Sequence, residues 1–259
     1  MDDTMTTTSK TTTKTTKAPS KLARVWSSIR QQGIVPIVRR NFWRWWWHRI
    51  EQKHSLDTGG SIDGAELGVA EDGFGYQPID VHSFHLAISK LDIDWSRSVF
   101  ADYGCGKGRA VLLAGRRPFK KVLGIEICLS LCRIAEANVA AAKALLSAQD
   151  VEIIETDATT FEPPSDLNVV FMYNPFDANI VQLVLERLRE SLAAHPRDMQ
   201  IIYALPNCRR DVLAECDWLE VEAEVVTDNS DWERMTVYRA KSSIVNRSPV
   251  IAEIGVVGG

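Results

Sequence analysis

The sequence predicts an α/β protein, a mostly parallel sheet with helices packed on both faces. Three observations carry that expectation. From residue 98 onward, short β-branched and aromatic runs alternate with stretches of helical periodicity. Those strand runs are apolar along most of their length, as strands covered on both faces must be. The first run leads directly into three alternating glycines and then a helix, a turn that can bring backbone N–H groups close to a ligand.

The strands are expected at 98–103, 121–126, 151–155, 168–173 and 199–205, with helices at 107–116, 129–147, 178–194 and 207–214 between and after them. Two further strands, 219–226 and 233–240, follow each other across the turn-like Asp228-Asn229-Ser230-Asp231, which predicts a terminal antiparallel hairpin. Ahead of the sheet, Asp80 or Ser83 can cap a helix whose apolar positions are Val81, Phe84, Leu86, Ala87 and Leu91. His82 and His85 lie three apart on it with no third ligand nearby in sequence, so no metal site is expected.

The first quarter of the chain differs in character. Residues 1–20 hold nine threonines and no large aliphatic or aromatic residue, a make-up that cannot offset the entropy of ordering. Leu22, Val25, Trp26 and Ile29 fall at helical spacing, and Gly33 closes that segment. Pro36 can open a second helix through Val38, Phe42, Trp45, Trp46 and Arg49. Four of the eight tryptophans crowd into positions 43–47 among Arg39, Arg40, Arg44 and Arg49. Two readings fit. The segment 21–53 docks an anionic membrane surface, nucleic acid or an acidic partner, or its Trp face packs on the main domain while its arginines stay solvated.

Charge follows the same division. Residues 1–56 carry 11 Lys+Arg against 3 Asp+Glu, while the other 203 carry 19 against 31, so the net charge of −4 hides a basic leader on an acidic body. No stretch approaches the roughly 20 apolar residues that span a bilayer, and Thr, Ser and Lys fill the place where a secretory signal needs an apolar run. Five cysteines (105, 128, 132, 208, 216) show no paired-doublet spacing, which predicts reduced thiols and a cytoplasmic protein, with a peripheral membrane association left open. The expected organisation is a tail at 1–20, a basic Trp/Arg-rich extension and Gly/Asp/Ser-rich connector at 21–75, the main domain at 76–243, and a second tail at 244–259.

The chemistry concentrates at Asp102-Tyr103-Gly104-Cys105-Gly106-Lys107-Gly108-Arg109. A dinucleotide turn wants its third glycine three residues after the second, and Arg109 stands there. That mismatch counts against a nicotinamide oxidoreductase. The observed pattern, with Asp102 two residues ahead of the first glycine, resembles the D-x-G-x-G-x-G motif of class I S-adenosylmethionine-dependent methyltransferases. The resemblance implies a Rossmann-like fold, with the glycine turn around the methionine part of S-adenosyl-L-methionine and Asp102 toward its ammonium group. Glu126 ends the second strand, where a carboxylate can accept from both ribose hydroxyls. Asp157 follows the third, where the family places an acid facing the adenine amino group.

The fourth strand ends in Tyr173-Asn174-Pro175-Phe176, which resembles the [DN]-P-P-[FYW] motif of nitrogen methyltransferases, one proline short. Asp57-Thr58-Gly59-Gly60 and Tyr76-Gln77-Pro78 resemble a D-T-x-G and Y-x-P element ahead of the same motifs in a bacterial-type group of this family, which places Tyr76 near the cofactor. The resemblance thus implies cofactor contacts from Tyr76, Asp102, Tyr103, Gly104, Cys105, Gly106, Gly108, Glu126, Ile127, Asp157, Ala158 and Asn174, with Asn174, Pro175 and Phe176 at the methyl-transfer position. The expected acceptor is a nitrogen of a protein side chain or a small amine, favoured over nucleic acid. The alternative is a catalytically silent methyltransferase-fold module that docks anionic partners through its basic leader.

Overall fold

The computed structural model describes residues 34–64, 75–205, 211–225 and 234–241. Seven strands form one sheet in the order β3-β2-β1-β4-β5-β7-β6: β1 (Val99–Tyr103), β2 (Lys121–Glu126), β3 (Val151–Glu155), β4 (Leu167–Tyr173), β5 (Gln200–Leu205), β6 (Leu219–Val225) and β7 (Arg234–Ala240). The first five pair in parallel, and β7 runs antiparallel between β5 and β6. The α/β class, the mostly parallel seven-stranded sheet and its closing hairpin are therefore as the sequence predicts. The chain builds outward from β1 to β3, then returns to lay β4 beside β1. That reversal opens a crevice beyond the carboxyl ends of β1 and β4, the place where such sheets bind ligands.

Strand periodicity of two sorts the core into two layers. Phe100, Val122, Val169, Phe171, Ile202 and Val237 face one side, against α2 (Val81–Ile88) and α3 (Arg109–Gly115). Ala101, Tyr103, Leu123, Ile125, Val170 and Met172 face the other, against Val181, Val184, Leu185, Leu188 and Leu192 of α5 (Ala178–Ala194). All five residues of β1 are buried, which fixes the strand that feeds the glycine turn.

Ahead of the sheet, α1 (Ile34–His54) packs on α2. It begins two residues before Pro36, which its first turn tolerates because the N–H groups there have no partner within the helix. Trp47 is buried, and Trp43, Trp46 and Ile50 pack against the core. Trp43 lies on the His85 imidazole at 4.2 Å and the Arg116 guanidinium covers Trp46 at 4.8 Å. Burial lowers His85 to about 4, so it stays neutral beside these arginines. Three of the four clustered tryptophans thus face the protein body. Trp45 does not, and remains 59% exposed.

The sequence expectations need several corrections. Asp80 precedes α2 but does not cap it with its side chain; its Oδ1 accepts from Arg44 Nε at 3.3 Å and ties α1 to α2. The helix expected at 107–116 starts at Arg109, because Gly108 takes a left-handed conformation (φ 80°). The helix expected at 129–147 divides: α4 (Leu129–Ala141) ends, and a 3-10 turn (Lys143–Leu145) follows. There the Gly115 carbonyl accepts from both Ser147 N and Ala148 N, at 2.8 and 2.9 Å, and draws the chain back toward β3. Of the helix expected at 207–214, the described part holds only a 3-10 turn (Leu213–Glu215). Asp211, just ahead of that turn, is pinned to β7 by Arg234 (2.6 Å) and Tyr238 (2.8 Å). The expectations for 1–20, 22–29, Gly33, 228–231, 244–259 and Cys208 lie outside the described residues. Among the described residues no helix is long and apolar enough to cross a membrane.

Candidate functional site

A cavity of about 540 Å³ lies at that crevice, within the size range of small-molecule sites. Its floor is the turn after β1. Gly104 N and Cys105 N both donate to the Ile125 carbonyl of β2, at 2.9 and 3.0 Å, so the turn is tied to the neighbouring strand. Gly104 and Gly106 have φ of 77° and 55°. A Cβ on Gly104 would meet Pro175 Cβ at 2.6 Å, and one on Gly106 would meet the Tyr76 ring at 2.3 Å. Glycine is required at both positions by conformation and by space.

Glu126 braces this floor. Its Oε2 accepts from Gly106 N (2.9 Å) and its Oε1 from Ile127 N (3.0 Å) and Cys128 N (2.9 Å). A carboxylate offers about four acceptor directions, so the remaining one, on Oε2, is left for a ligand. The sequence reading gave Glu126 two ligand contacts; the glycine turn already takes part of that capacity. Asp157 is likewise half committed, with Oδ1 accepting from both Thr159 N and Thr159 Oγ1 at 2.8 Å, which leaves Oδ2.

Asp102, the penultimate residue of β1, pairs beside Gly124 and Phe171 and is 3% exposed. Burial, and secondarily the charge of Glu126, push its pKa well above the usual carboxylate range. Arg109, the cation among the described residues lining the cavity, directs its guanidinium elsewhere: to Thr58 Oγ1 (3.0 Å), the Ile79 carbonyl (3.2 Å) and Glu51 Oε1 (3.1 Å). Two buried carboxylates therefore face the cavity, and its lining cation is turned away from them. A raised folded-state pKa stabilises fully below the unfolded value of about 4, and that stability is lost as pH rises through the raised value. We expect the melting temperature of the ligand-free protein to fall across that window, and Asp102→Asn to flatten the fall. Parallel melting curves for wild type and variant would refute this burial effect.

At the far wall, Asn174 follows directly on β4, and its N–H still donates to the Ala204 carbonyl of β5 at 2.9 Å. Asn174 adopts a left-handed conformation (φ 46°), rare outside glycine. Its Oδ1 is buried without a donor among the described residues. Such an acceptor costs about 1–3 kcal/mol, and the positive φ adds roughly 1–3 kcal/mol of strain. The following Pro175 and Phe176 close over Gly104.

A polar shell supports the near wall. The Tyr76 hydroxyl donates to the Thr58 carbonyl (2.8 Å), and Lys107 lies over its ring at 5.6 Å while pairing with Asp57 at 2.8 Å. Fully buried Thr58 accepts from Trp47 Nε1 (3.1 Å) and donates to Glu51 Oε1 (2.5 Å). Asn138 of α4 clamps the backbone of Asp57 from both sides, accepting from its N–H and donating to its carbonyl, each at 2.8 Å. The Asp57-Thr58 motif is visible in the sequence, whereas nothing in a motif marks Glu51 or Asn138. One signal was present: Glu51 is the lone acid between Lys21 and Leu56.

Of the residues expected at the site, Tyr76, Asp102, Gly104, Cys105, Gly106, Glu126, Ile127, Asp157, Ala158, Asn174, Pro175 and Phe176 line the cavity. Tyr103 and Gly108 do not. Alternation along β1 turns Tyr103 into the α5 layer, where its ring meets Phe161 at 5.9 Å. Gly108 packs against Ala135 of α4. Thr156, Thr159 and Cys128 line the cavity without having been expected there. Among the described residues no group of three or more His, Cys, Asp or Glu side chains converges on a metal-sized site.

Solved structures share this architecture. The chain is similar to the methyltransferase candidate yhhF of Escherichia coli, with 16% identity over 70% of this chain and 99% of that one and a TM-score of 0.50. It is also similar to an RNA methyltransferase of Salinibacter ruber in complex with S-adenosyl-L-homocysteine (23% identity, 67% and 97% coverage, TM-score 0.46). A third is the magnesium protoporphyrin IX methyltransferase ChlM of Synechocystis PCC 6803 with bound S-adenosylmethionine (13%, 88% and 100%, 0.47). No protein-family profile and no curated protein matches the chain. The fold is that of the class I S-adenosylmethionine-dependent methyltransferases.

Proposed function

We propose that this protein is an S-adenosylmethionine-dependent methyltransferase that methylates a nitrogen of a protein side chain or small amine. Asn174 carries the reading: just after β4 and beside the glycine turn, a strained residue holds a buried carbonyl-type oxygen that has no donor among the described residues. An acceptor substrate's N–H would satisfy that oxygen, which fixes the direction of the nitrogen lone pair. Phe176 and Tyr76 offer aromatic faces for a cation.

The cavity fits the cofactor. Its two buried carboxylates face no lining cation, which suits a ligand that brings positive charge. Asp102 would hold the ammonium group, the open direction of Glu126 a ribose hydroxyl, and Oδ2 of Asp157 the adenine amino group. Ile127 and Ala158 would flank the base, and Gly104, Cys105 and Gly106 would admit the chain backbone close to the ligand. Tyr103 and Gly108 would act through the turn they frame. When bound, S-adenosylmethionine supplies an already activated methyl group, so the residues contribute mainly position and exclusion of water. Among the described residues the thiols of Cys105, Cys128, Cys132 and Cys216 are unpaired, which supports a cytoplasmic setting.

Titration calorimetry with S-adenosylhomocysteine tests the cofactor assignment, and absence of binding would overturn it. A tritiated-methyl assay on a lysate divided into protein, nucleic acid and metabolite fractions tests the acceptor; label confined to nucleic acid would refute it. Asn174→Ala should bind S-adenosylhomocysteine within about threefold of wild type yet lose transfer by roughly a hundredfold or more, since it removes an orienting hydrogen bond. Equal losses in binding and transfer would refute its placement at the acceptor.

A further inference from the structure

We propose that the outer face of α1 docks the protein onto anionic lipid bilayer surfaces. The helix has two apolar faces, and among the described residues only one is packed against the body. Trp43, Trp46, Trp47 and Ile50 lie against the core, while Val35, Val38, Phe42 and Trp45 are 67%, 59%, 53% and 59% exposed. Steps of three, four and three set these four residues in one stripe along the helix. They account for four of the eight large apolar side chains exposed among the described residues, gathered on a single element.

Along α1 itself, the charges that border the stripe have one sign. Arg49 continues the row one turn further on, and Arg39 and Lys53 border it; all three are exposed. The sole carboxylate of α1, Glu51, is turned inward onto Arg109 and Thr58. The outer face therefore offers valine, phenylalanine and tryptophan along its centre and cations at its margins. That is the layout of a helix lying at a bilayer interface, with its apolar row in the acyl boundary and its cations among anionic headgroups. A nucleic acid backbone would leave the valine row against phosphate. A protein groove would not call for a helix whose own bordering charges are all basic.

The inner face is fixed before any membrane is met. Trp47–Thr58, Arg44–Asp80 and Glu51–Arg109 hold α1 to the body, so docking needs no refolding of the helix. Docking is also independent of the chemistry in the cavity, and its test involves no cofactor.

The test is flotation of the full-length protein with vesicles of phosphatidylcholine alone and with roughly one-third phosphatidylglycerol added. The expected result is binding to the anionic vesicles and little to the neutral ones, with a blue-shifted Trp emission. Phe42→Ser/Trp45→Ser should lose at least tenfold in partitioning. Arg39→Gln/Arg49→Gln should lose about twenty-five-fold, at about fivefold per cation near an anionic surface. All four positions are exposed, so melting temperatures should stay near wild type and serve as the folding control. No binding to anionic vesicles, equal binding to neutral ones, or binding indifferent to both double variants would overturn the proposal. So would single-stranded RNA binding that the Phe42/Trp45 pair supports more strongly than lipid binding. Self-association abolished by the same pair would assign the face to a second copy and overturn it equally.

Discussion

Gly106→Ala is expected to destabilise the protein by about 2–4 kcal/mol and to weaken S-adenosylhomocysteine binding by roughly a hundredfold or more. Two physical terms combine. The added Cβ would lie 2.3 and 2.5 Å from Tyr76 ring carbons, closer than real contacts allow; overpacking of that kind costs about 1–3 kcal/mol. The backbone also holds φ at 55°, where an L side chain costs roughly another 1 kcal/mol. Tyr76 cannot simply withdraw, because its hydroxyl is bonded to the Thr58 carbonyl and its ring is covered by Lys107. Relief must come from the turn, and movement there strains the 2.9 Å bond from Gly106 N to Glu126. Chemical denaturation and calorimetry measure the two losses. A double-mutant cycle with Tyr76→Ala separates the terms: contact predicts that the pair is more stable than the sum by about 1 kcal/mol or more. Strict additivity would mean that the ring and the turn do not press on each other.

The sheet was legible in the sequence because its signals are local. Runs such as 121–126 and 151–155 coincide with β2 and β3, and 178–194 with α5, since apolar periodicity and burial coincide there. The hairpin was legible because two strand runs followed one another with no helical pattern between them. The ends of α4 and the segment after β5 were not legible. Leu145 and Leu146 fit helical spacing, but the Gly115 carbonyl, some thirty residues upstream, captures the chain first. Asp211 falls inside the helix expected at 207–214, while in the fold its Oδ2 serves β7 and its Oδ1 accepts from Ala214 N of the short 3-10 turn.

At the site, the glycine turn, Asp102, Glu126 and Asn174 were recognisable because their spacing sits on strand ends. Their states were not. That Glu126 spends three acceptor directions on backbone N–H groups, or that Asn174 is left-handed, depends on register between strands. Tyr103 shows the opposite failure. It sits between two site residues in sequence, yet alternation along β1 turns it away. The tryptophan cluster could be divided only once the helix had a body to pack on; four residues within five positions inevitably point in several directions.

Arg109→Ala is expected to cost about 3–5 kcal/mol, the usual effect of leaving one partner of a buried ion pair uncompensated. The side chains of Arg109 and Glu51 are only 13% and 14% exposed, and Arg109 joins three separate segments: α1 through Glu51, the Thr58 loop, and the chain leading into α2 through Ile79. Without the guanidinium, Glu51 retains the Thr58 hydroxyl as a donor and His48 Nδ1 at 4.0 Å, and the Ile79 carbonyl loses this donor. Arg109→Lys should recover only part of the loss, because one ammonium cannot reproduce a fork that serves three acceptors. Glu51→Gln in the Arg109→Ala background should restore about 1–3 kcal/mol relative to additivity, since it removes the stranded charge. Thr58 also supports Tyr76, so S-adenosylhomocysteine affinity should fall by roughly tenfold in Arg109→Ala, by loosening the wall rather than by losing a ligand contact. Urea unfolding with calorimetry at matched pH reads both quantities. A stability loss below about 1 kcal/mol would mean that water replaces the guanidinium at no great cost, and that the tryptophans, Ile50 and the Arg44–Asp80 pair suffice to hold α1.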